Sequence, residues 1–390
     1  MPSLLPRPLA LRVLMVFAGL CLLLTPAPAA ADDAAALAGG PSQSEFEELL
    51  LACENRKEAG TEEGWLRDRF STCKSTIIEA DIYEIGSAGT KVIGKLNYSF
   101  YVLAFASPDE RRLDIFTSVF GINALFNDPL AYDKERLRIT QTFTASTSGS
   151  TPVVQPTRTS RDDLIGEWKN SGRWQLTYTS PHNGSSGTGN RQLADLELSM
   201  DIGASHPQTN SYSEPGLFRT RARFDSAAPS GQPKHGTVLA DTPGLYTLSL
   251  DDPAVEQTAL HIYDAQNRPE RTFPSHLGKT VPGKKPQGQE EGRPLHRMEN
   301  KKKKDKNRRA AGRVCTDVWG DKGDGDLVNC DEYPFASTYE GASTGDRRSF
   351  SARLIGGDDN KEAGHILLLT YQEQRILDGD PFYVQITGTP

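Results

Sequence analysis

The chain has 390 residues, 36% hydrophobic and 24% charged, with 44 basic against 51 acidic side chains and a net charge of −7. At roughly 100–200 residues per domain this length holds two or three domains, and the acidic balance excludes a protein that is basic along its whole length. Only 8% of residues are aromatic, while 35 glycines and 25 prolines favour turn-rich β structure and linkers over a helical bundle.

Arg7 and Arg12 flank the start of an apolar run at residues 13–24. Small residues follow, with Ala27-Pro28-Ala29 and Ala29-Ala30-Ala31 as cleavage sites. Charge, apolar run and small residues in that order predict a signal peptide over 1–31. The run falls short of the roughly 20 residues a spanning helix needs, and no later segment could span. Export is therefore expected. Cys21 leaves with the signal, so Cys53, Cys73, Cys315 and Cys330 remain. An even count in an exported chain predicts two disulfides, and four cysteines allow three pairings. Pairing of sequence neighbours, Cys53 with Cys73 and Cys315 with Cys330, would close two short loops. No Cys-x-x-Cys or matching His spacing supports zinc.

Residues 32–74 are expected to hold one short helix, because Phe46, Leu49, Leu50 and Cys53 recur at i, i+3, i+4, i+7. From 75 to 275 the period changes to two. Strands are predicted at 77–85, 92–106, 137–145, 174–179, 193–202, 218–224, 244–250 and 260–263, separated by Gly, Pro, Ser and Asn clusters. The alternation of Ala194, Leu196, Leu198 and Met200 with Asp195, Glu197 and Ser199 is the cleanest case. Repeated short strands suggest a β-sandwich. No catalytic constellation shows in this region.

Residues 276–312 read as a linker marked by Pro282, Gly283, Pro286, Gly288 and Pro294. It ends in the densest positive run of the chain: Lys301, Lys302, Lys303, Lys304, Lys306, Arg308 and Arg309. Such a run is either a solvated linker or helix face, or an arm that binds phosphates by displacing counterions.

The last 80 residues carry the sharpest pattern. Asp331 and Glu332 sit side by side between Cys330 and Tyr333-Pro334 on an extended segment, and 350–355 alternates as a second strand. Gly356 to Asn360 is expected to cap a helix whose face holds Ala363, Ile366, Leu367 and Tyr371. A final strand is expected at 382–386. Strand, turn, strand and Asn-led helix is the order of a ββα-metal finger. Mg²⁺ and Mn²⁺ prefer oxygen ligands and keep several waters, and Asn360 offers a neutral amide oxygen. Adjacent strand residues point to opposite faces, so only one of Asp331 and Glu332 can enter a site directly.

The segment Cys330-Asp331-Glu332-Tyr333-Pro334-Phe335-Ala336, with Glu340-Gly341, Asp359-Asn360 and Ala363-Gly364, resembles the NucA/NucB deoxyribonuclease family. The resemblance covers 313–390. It implies metal-dependent endonucleolytic cleavage of DNA with little sequence specificity, the metal being Mg²⁺ or Mn²⁺. It also implies Asp331 as general base with Glu332 beside it, and Asn360 and Glu340 on the metal side. Arg353 on the second strand is a candidate phosphate clamp, with a surface pair to Asp358 as its rival role. The chain departs from the family at Lys361, Glu362 and His365, and His365 falls well around the helix from Asn360.

The fold class is therefore α+β: a mainly-β, sandwich-like N-terminal region, then a small ββα-metal-type nuclease domain. The N-terminal region would bind a wall polymer, restrain the nuclease or fix it in an assembly. Rival readings are a secreted antibacterial toxin with an immunity partner, and an inactive extracellular DNA- or polymer-binding protein. A further rival is a calcium module at Asp321, Asp324 and Asp326, which lacks the EF-hand spacing.

Overall fold

The computed structural model describes residues 40–61, 64–87, 89–170, 173–182, 192–227, 235–287, 292–320 and 325–390. The signal segment, Gly288, Asp321 and Asp324 lie outside these residues.

Helix α1, Gln43–Glu54, opens with a capping box in which Ser42 and Glu45 exchange side-chain and backbone hydrogen bonds. Its Phe46, Leu49 and Cys53 are buried. The Cys53–Cys73 disulfide, with sulfurs 2.09 Å apart, ties the helix to strand β2. Strands β1 (Trp65–Leu66), β2 (Ser71–Gly86), β3 (Gly89–Ala106), β4 (Arg112–Phe126) and β7 (Trp174–Thr179) form one antiparallel sheet in the order β1-β2-β3-β4-β7. The second runs β10-β9-β8-β5-β6, from β5 (Arg138–Gly149), β6 (Ser160–Leu164), β8 (Leu193–Ser205), β9 (Tyr212–Asp225) and β10 (Gly236–Leu239). Phe100, Val102 and Ile115 of the first sheet share one apolar core with Leu196, Met200 and Phe218 of the second. Trp168, on helix α2 (Ile165–Asn170), closes that core and donates its indole N–H to the Ile139 carbonyl at 2.9 Å.

The expected strands at 244–250 and 260–263 do not join this sandwich. Strand β11, Gly244–Ser249, runs parallel to the last strand, β15 (Pro381–Thr387). Residues 260–263 lie in helix α3, Glu256–Asn267. Its buried residues Thr258, His261, Ile262 and Ala265 follow the helical repeat, which a four-residue apolar run cannot distinguish from a strand.

The expected linker at 276–312 is also built structure. Val281, Leu295 and Met298 are buried, and strand β12, Leu295–His296, pairs antiparallel with β15. The basic run opens helix α4, Lys301–Trp319, capped by Asn300, whose side chain accepts the Lys303 amide at 3.1 Å. Next come β13 (Val328–Tyr333), β14 (Ser351–Gly356) and helix α5 (Gly357–Glu373). The protein is thus mixed α+β, mostly β in its N-terminal region. Among the described residues, no helix is long and apolar enough to cross a membrane.

Candidate active site

The β13–β14 hairpin organises the site. Its register pairs Asp331 with Arg353 and Glu332 with Ala352. Alternation then sends Asn329, Asp331 and Arg353 to one face, and Cys330, Glu332 and Ala352 to the other. Helix α3 contacts side chains of the first face. Helix α4 packs on the second, where its Ala310, Ala311 and Cys315 meet Ala352.

On the α3 face, Asp331 is only 5% exposed. Its Oδ2 lies 2.6 Å from His261 Nδ1, and His261 Nε2 lies 2.7 Å from Ser351 Oγ. A neutral imidazole satisfies both contacts, with Nδ1–H donating to the carboxylate and Nε2 accepting from the hydroxyl. Asp331 Oδ1 accepts the Glu332 amide at 2.9 Å. Arg353 donates Nη2 to Asp264 of α3 at 2.7 Å. Its carboxylate partner is thus Asp264 rather than the Asp358 considered from sequence, while Asp358 lies 3.8 Å from Lys361. His261 and Asp264 are the residues that sequence reasoning missed. The available signal was the buried helical repeat through Thr258, His261, Ile262 and Ala265.

On the α4 face, Glu332 is partly exposed as a residue, yet its Oε2 is buried without a hydrogen-bond partner. Burial, then the charge of Asp331, pushes its carboxyl up to about 8, against a smaller opposing pull from Arg308.

Helix α5 starts without a side-chain cap of its own, in contrast to the cap expected at Gly356–Asn360. Asp359 instead caps α3, accepting the Gln257 and Thr258 amides at 2.8 and 2.9 Å and the Thr258 hydroxyl at 2.6 Å. Gly357 has a steric reason, since a Cβ there would lie 2.1 Å from the Asp326 carbonyl oxygen. Asn360 donates its amide to Asn329 Oδ1 at 3.4 Å, which keeps its own Oδ1 as an acceptor beside the Asp331 face. His365 is exposed on α5.

Glu340 is held elsewhere. Its Oε1 lies 2.7 Å from His296 Nδ1, and its Oε2 accepts the His296 amide at 2.9 Å. Among the described residues, Glu340 is held by His296 and Asn360 contacts Asn329, so they share no partner. Among the described residues, no three His, Cys, Asp or Glu side chains form a metal-holding group.

The basic run splits by helix face. Asn307, within it, is 2% exposed and donates to the Ala336 and Thr338 carbonyls at 2.9 and 3.1 Å, while its Oδ1 accepts the Ser343 amide at 3.0 Å. Asn307 thus clamps the turn carrying Glu340. Lys301 and Arg308 pair with Asp305 at 2.9 and 3.4 Å, and Lys303 lies 5.0 Å over the Tyr339 ring. Lys302, Lys306 and Arg309 are exposed. Lys301 to Lys304 occupy the first turn, where the helix dipole already places positive charge. The Cys315–Cys330 disulfide, with sulfurs 1.95 Å apart, joins α4 to β13 one residue before Asp331.

The hairpin, the helix that follows it and the flanking carboxylates all lie in the C-terminal part of the chain. Residues 285–385 match the family model described as deoxyribonuclease NucA/NucB. No curated protein matches the sequence. Strand β11 and helix α3 precede the matched residues, yet both complete the core of this part, where Tyr246, Ala259 and Ile262 pack with Tyr333, Leu367 and Phe382.

Proposed function

We propose that the protein is an exported endonuclease that hydrolyses DNA phosphodiester bonds with little sequence preference, using a ββα-metal arrangement of β13, β14 and α5. The observation that carries this reading is Asp331, held at two oxygens on the matched hairpin with Arg353 opposite it. In the proposed reaction Asp331 takes the proton of the attacking water. His261 keeps its carboxylate oriented, and Ser351 fixes the imidazole in turn. Arg353 retains further N–H donors for the scissile phosphate while Asp264 steadies it.

Asn360 fits a hard divalent cation such as Mg²⁺ or Mn²⁺ by its spare amide oxygen, an ion that keeps most of its waters. Glu340 is oriented by His296, whereas Asn360 contacts Asn329, so the two are held by different partners. When bound, such an ion supplies charge neutralisation at the phosphate. Glu332 lies on the opposite face and shapes the α4 side. The exposed cations of α4, Lys302, Lys306 and Arg309 foremost, are assigned to backbone phosphates. The N-terminal segment pattern and the two cysteine pairs support export.

Plasmid DNA incubated with the purified mature protein and Mg²⁺ or Mn²⁺ should be nicked, and EDTA should stop the reaction. Asp331→Ala, shown to be folded by circular dichroism, should not nick. Equal nicking by that variant would remove Asp331 from the chemistry. A second reading rests on the carboxylates and Arg353 already having protein partners: an inactive DNA-binding protein. It predicts retarded but intact plasmid with every ion.

A further inference from the structure

The strap between α3 and β12 holds a feature that the catalytic reading does not use. A cavity of about 250 Å³ is lined by Gln266, Lys279, Lys284, Lys285 and Arg293. Among its described lining residues there is no carboxylate. The strap is a fixed edge: Gly283 accepts the Val384 amide at 2.7 Å, and Lys285 donates its amide to Val384 at 3.1 Å. Gly283, at φ 105°, lets the strap pass the Tyr333 hydroxyl, which a Cβ would approach to 2.4 Å.

Lys279 is the telling residue. It is 4% exposed, and among the described residues its ammonium donates to a neutral group, the Pro274 carbonyl, at 3.1 Å. Buried charges are ordinarily paired. Lys284 likewise donates to a neutral partner, Asn267 Oδ1, at 2.8 Å, and Lys285 to Gln385 at 3.2 Å. The cavity is therefore a concave, positively charged surface without its own counter-charge among the described residues.

The cavity also connects to the hairpin. Gln266 lines it and donates to the Tyr333 hydroxyl at 2.8 Å. Tyr333 lies two residues, about 7 Å, along β13 from Asp331.

We infer that this cavity binds a backbone phosphate of the DNA flanking the scissile bond. The inference rests on the nuclease reading above, and the following experiment separates the two.

Binding of the mature chain to duplex DNA is measured in EDTA across a salt series, for wild type and for the exposed-residue variant Lys284→Gln/Lys285→Gln/Arg293→Gln. One lost phosphate contact lowers the slope of log affinity against log salt by about 0.9. The variant should show at least that drop, with unchanged turnover of the small phosphodiester bis(p-nitrophenyl) phosphate under Mg²⁺ or Mn²⁺. An unchanged slope overturns the proposal. An effect confined to 5′-phosphorylated ends also overturns it, because the cavity would then read ends. Loss of small-substrate turnover in the variant would place these residues at the reacting centre and overturn the flanking role. If wild type cleaves neither substrate yet the slope still drops, the nuclease reading fails and the phosphate site stands.

Discussion

His261 Nδ1 and Asp331 Oδ2 meet at 2.6 Å across 70 residues of sequence. The histidine comes from a helix that precedes the residues matching the family model, and the aspartate from the hairpin within them. The imidazole is wholly buried and has a second partner in Ser351, so it is fixed at both nitrogens. A carboxylate held this way has one orientation, which is what a positioned proton acceptor needs.

On the proposed reading, in which Asp331 is the base, His261 acts as a positioning residue. Asp331→Asn should lower the nicking rate by about 10²–10⁴-fold, the usual range for a lost acid–base group. His261→Gln should lower kcat by less and leave KM unchanged. Residues acting as one unit are not additive, so the double variant should be no slower than Asp331→Asn alone. A double variant slower by the product of the two effects would separate the pair.

Much of the hairpin was legible from sequence, because strand alternation is a geometric necessity. Asp331 and Glu332 do point to opposite faces, and the β8 alternation does line a sandwich core. What was not legible depends on partners distant in sequence. The 260–263 run looked extended because four apolar-leaning residues carry no period, whereas the α3 start is stabilised by Asp359, 101 residues ahead of Thr258. Likewise, Pro and Gly between 276 and 294 suggested a linker. The strap takes its order from β15; that strand was expected at 382–386, but its pairing with a segment so distant in sequence was not. Asn307 interrupts the basic run in sequence, and only the fold shows it facing inward.

Glu332 gives a pH prediction. Its folded carboxyl is raised from 4.5 to about 8, so between those values the folded state binds the extra proton. Stability is then highest below about pH 4.5 for this group and declines as pH rises towards 8, by at most about 1.4 kcal/mol per pH unit. Urea denaturation in chelator across that window should show the decline, and Glu332→Gln should flatten it. A variant with the wild-type slope would assign the dependence to other groups.

Gly341 and Asn307 form a second pair with a clear consequence. A Cβ on Gly341 would sit 2.2 Å from Asn307 Nδ2. Gly341→Ala should therefore cost about 1–3 kcal/mol by overpacking. Asn307→Ala should cost about 1–3 kcal/mol by leaving buried carbonyls unpaired. The double variant should lose less than the sum, since the alanine at 307 makes room for the new methyl. Full additivity in denaturation midpoints would contradict the contact.

Arg375 and Asp225 join the sandwich to the C-terminal part of the chain. Both side chains are wholly buried, and Arg375 Nε donates to Asp225 Oδ2 at 3.3 Å, with a second contact from Nη2 to Oδ1. Asp225 ends β9 of the sandwich, while Arg375 follows α5 at φ 48°, a left-handed conformation that costs a non-glycine residue about 1–3 kcal/mol. Its guanidinium also reaches the Pro108 and Ala227 carbonyls at 3.2 and 2.9 Å, which offsets that strain. Nearby, Arg69 and Arg223 hold Asp380 at 2.8 and 2.6 Å. Removing one member of a buried pair strands the other charge, so Asp225→Ala should destabilise the full chain by about 3–5 kcal/mol. Because the network spans sandwich and nuclease parts, both should unfold together, with DNA cleavage lost in the same transition. Two separate transitions, with the cleavage-linked one unmoved by Asp225→Ala, would show that the nuclease part stands without the sandwich.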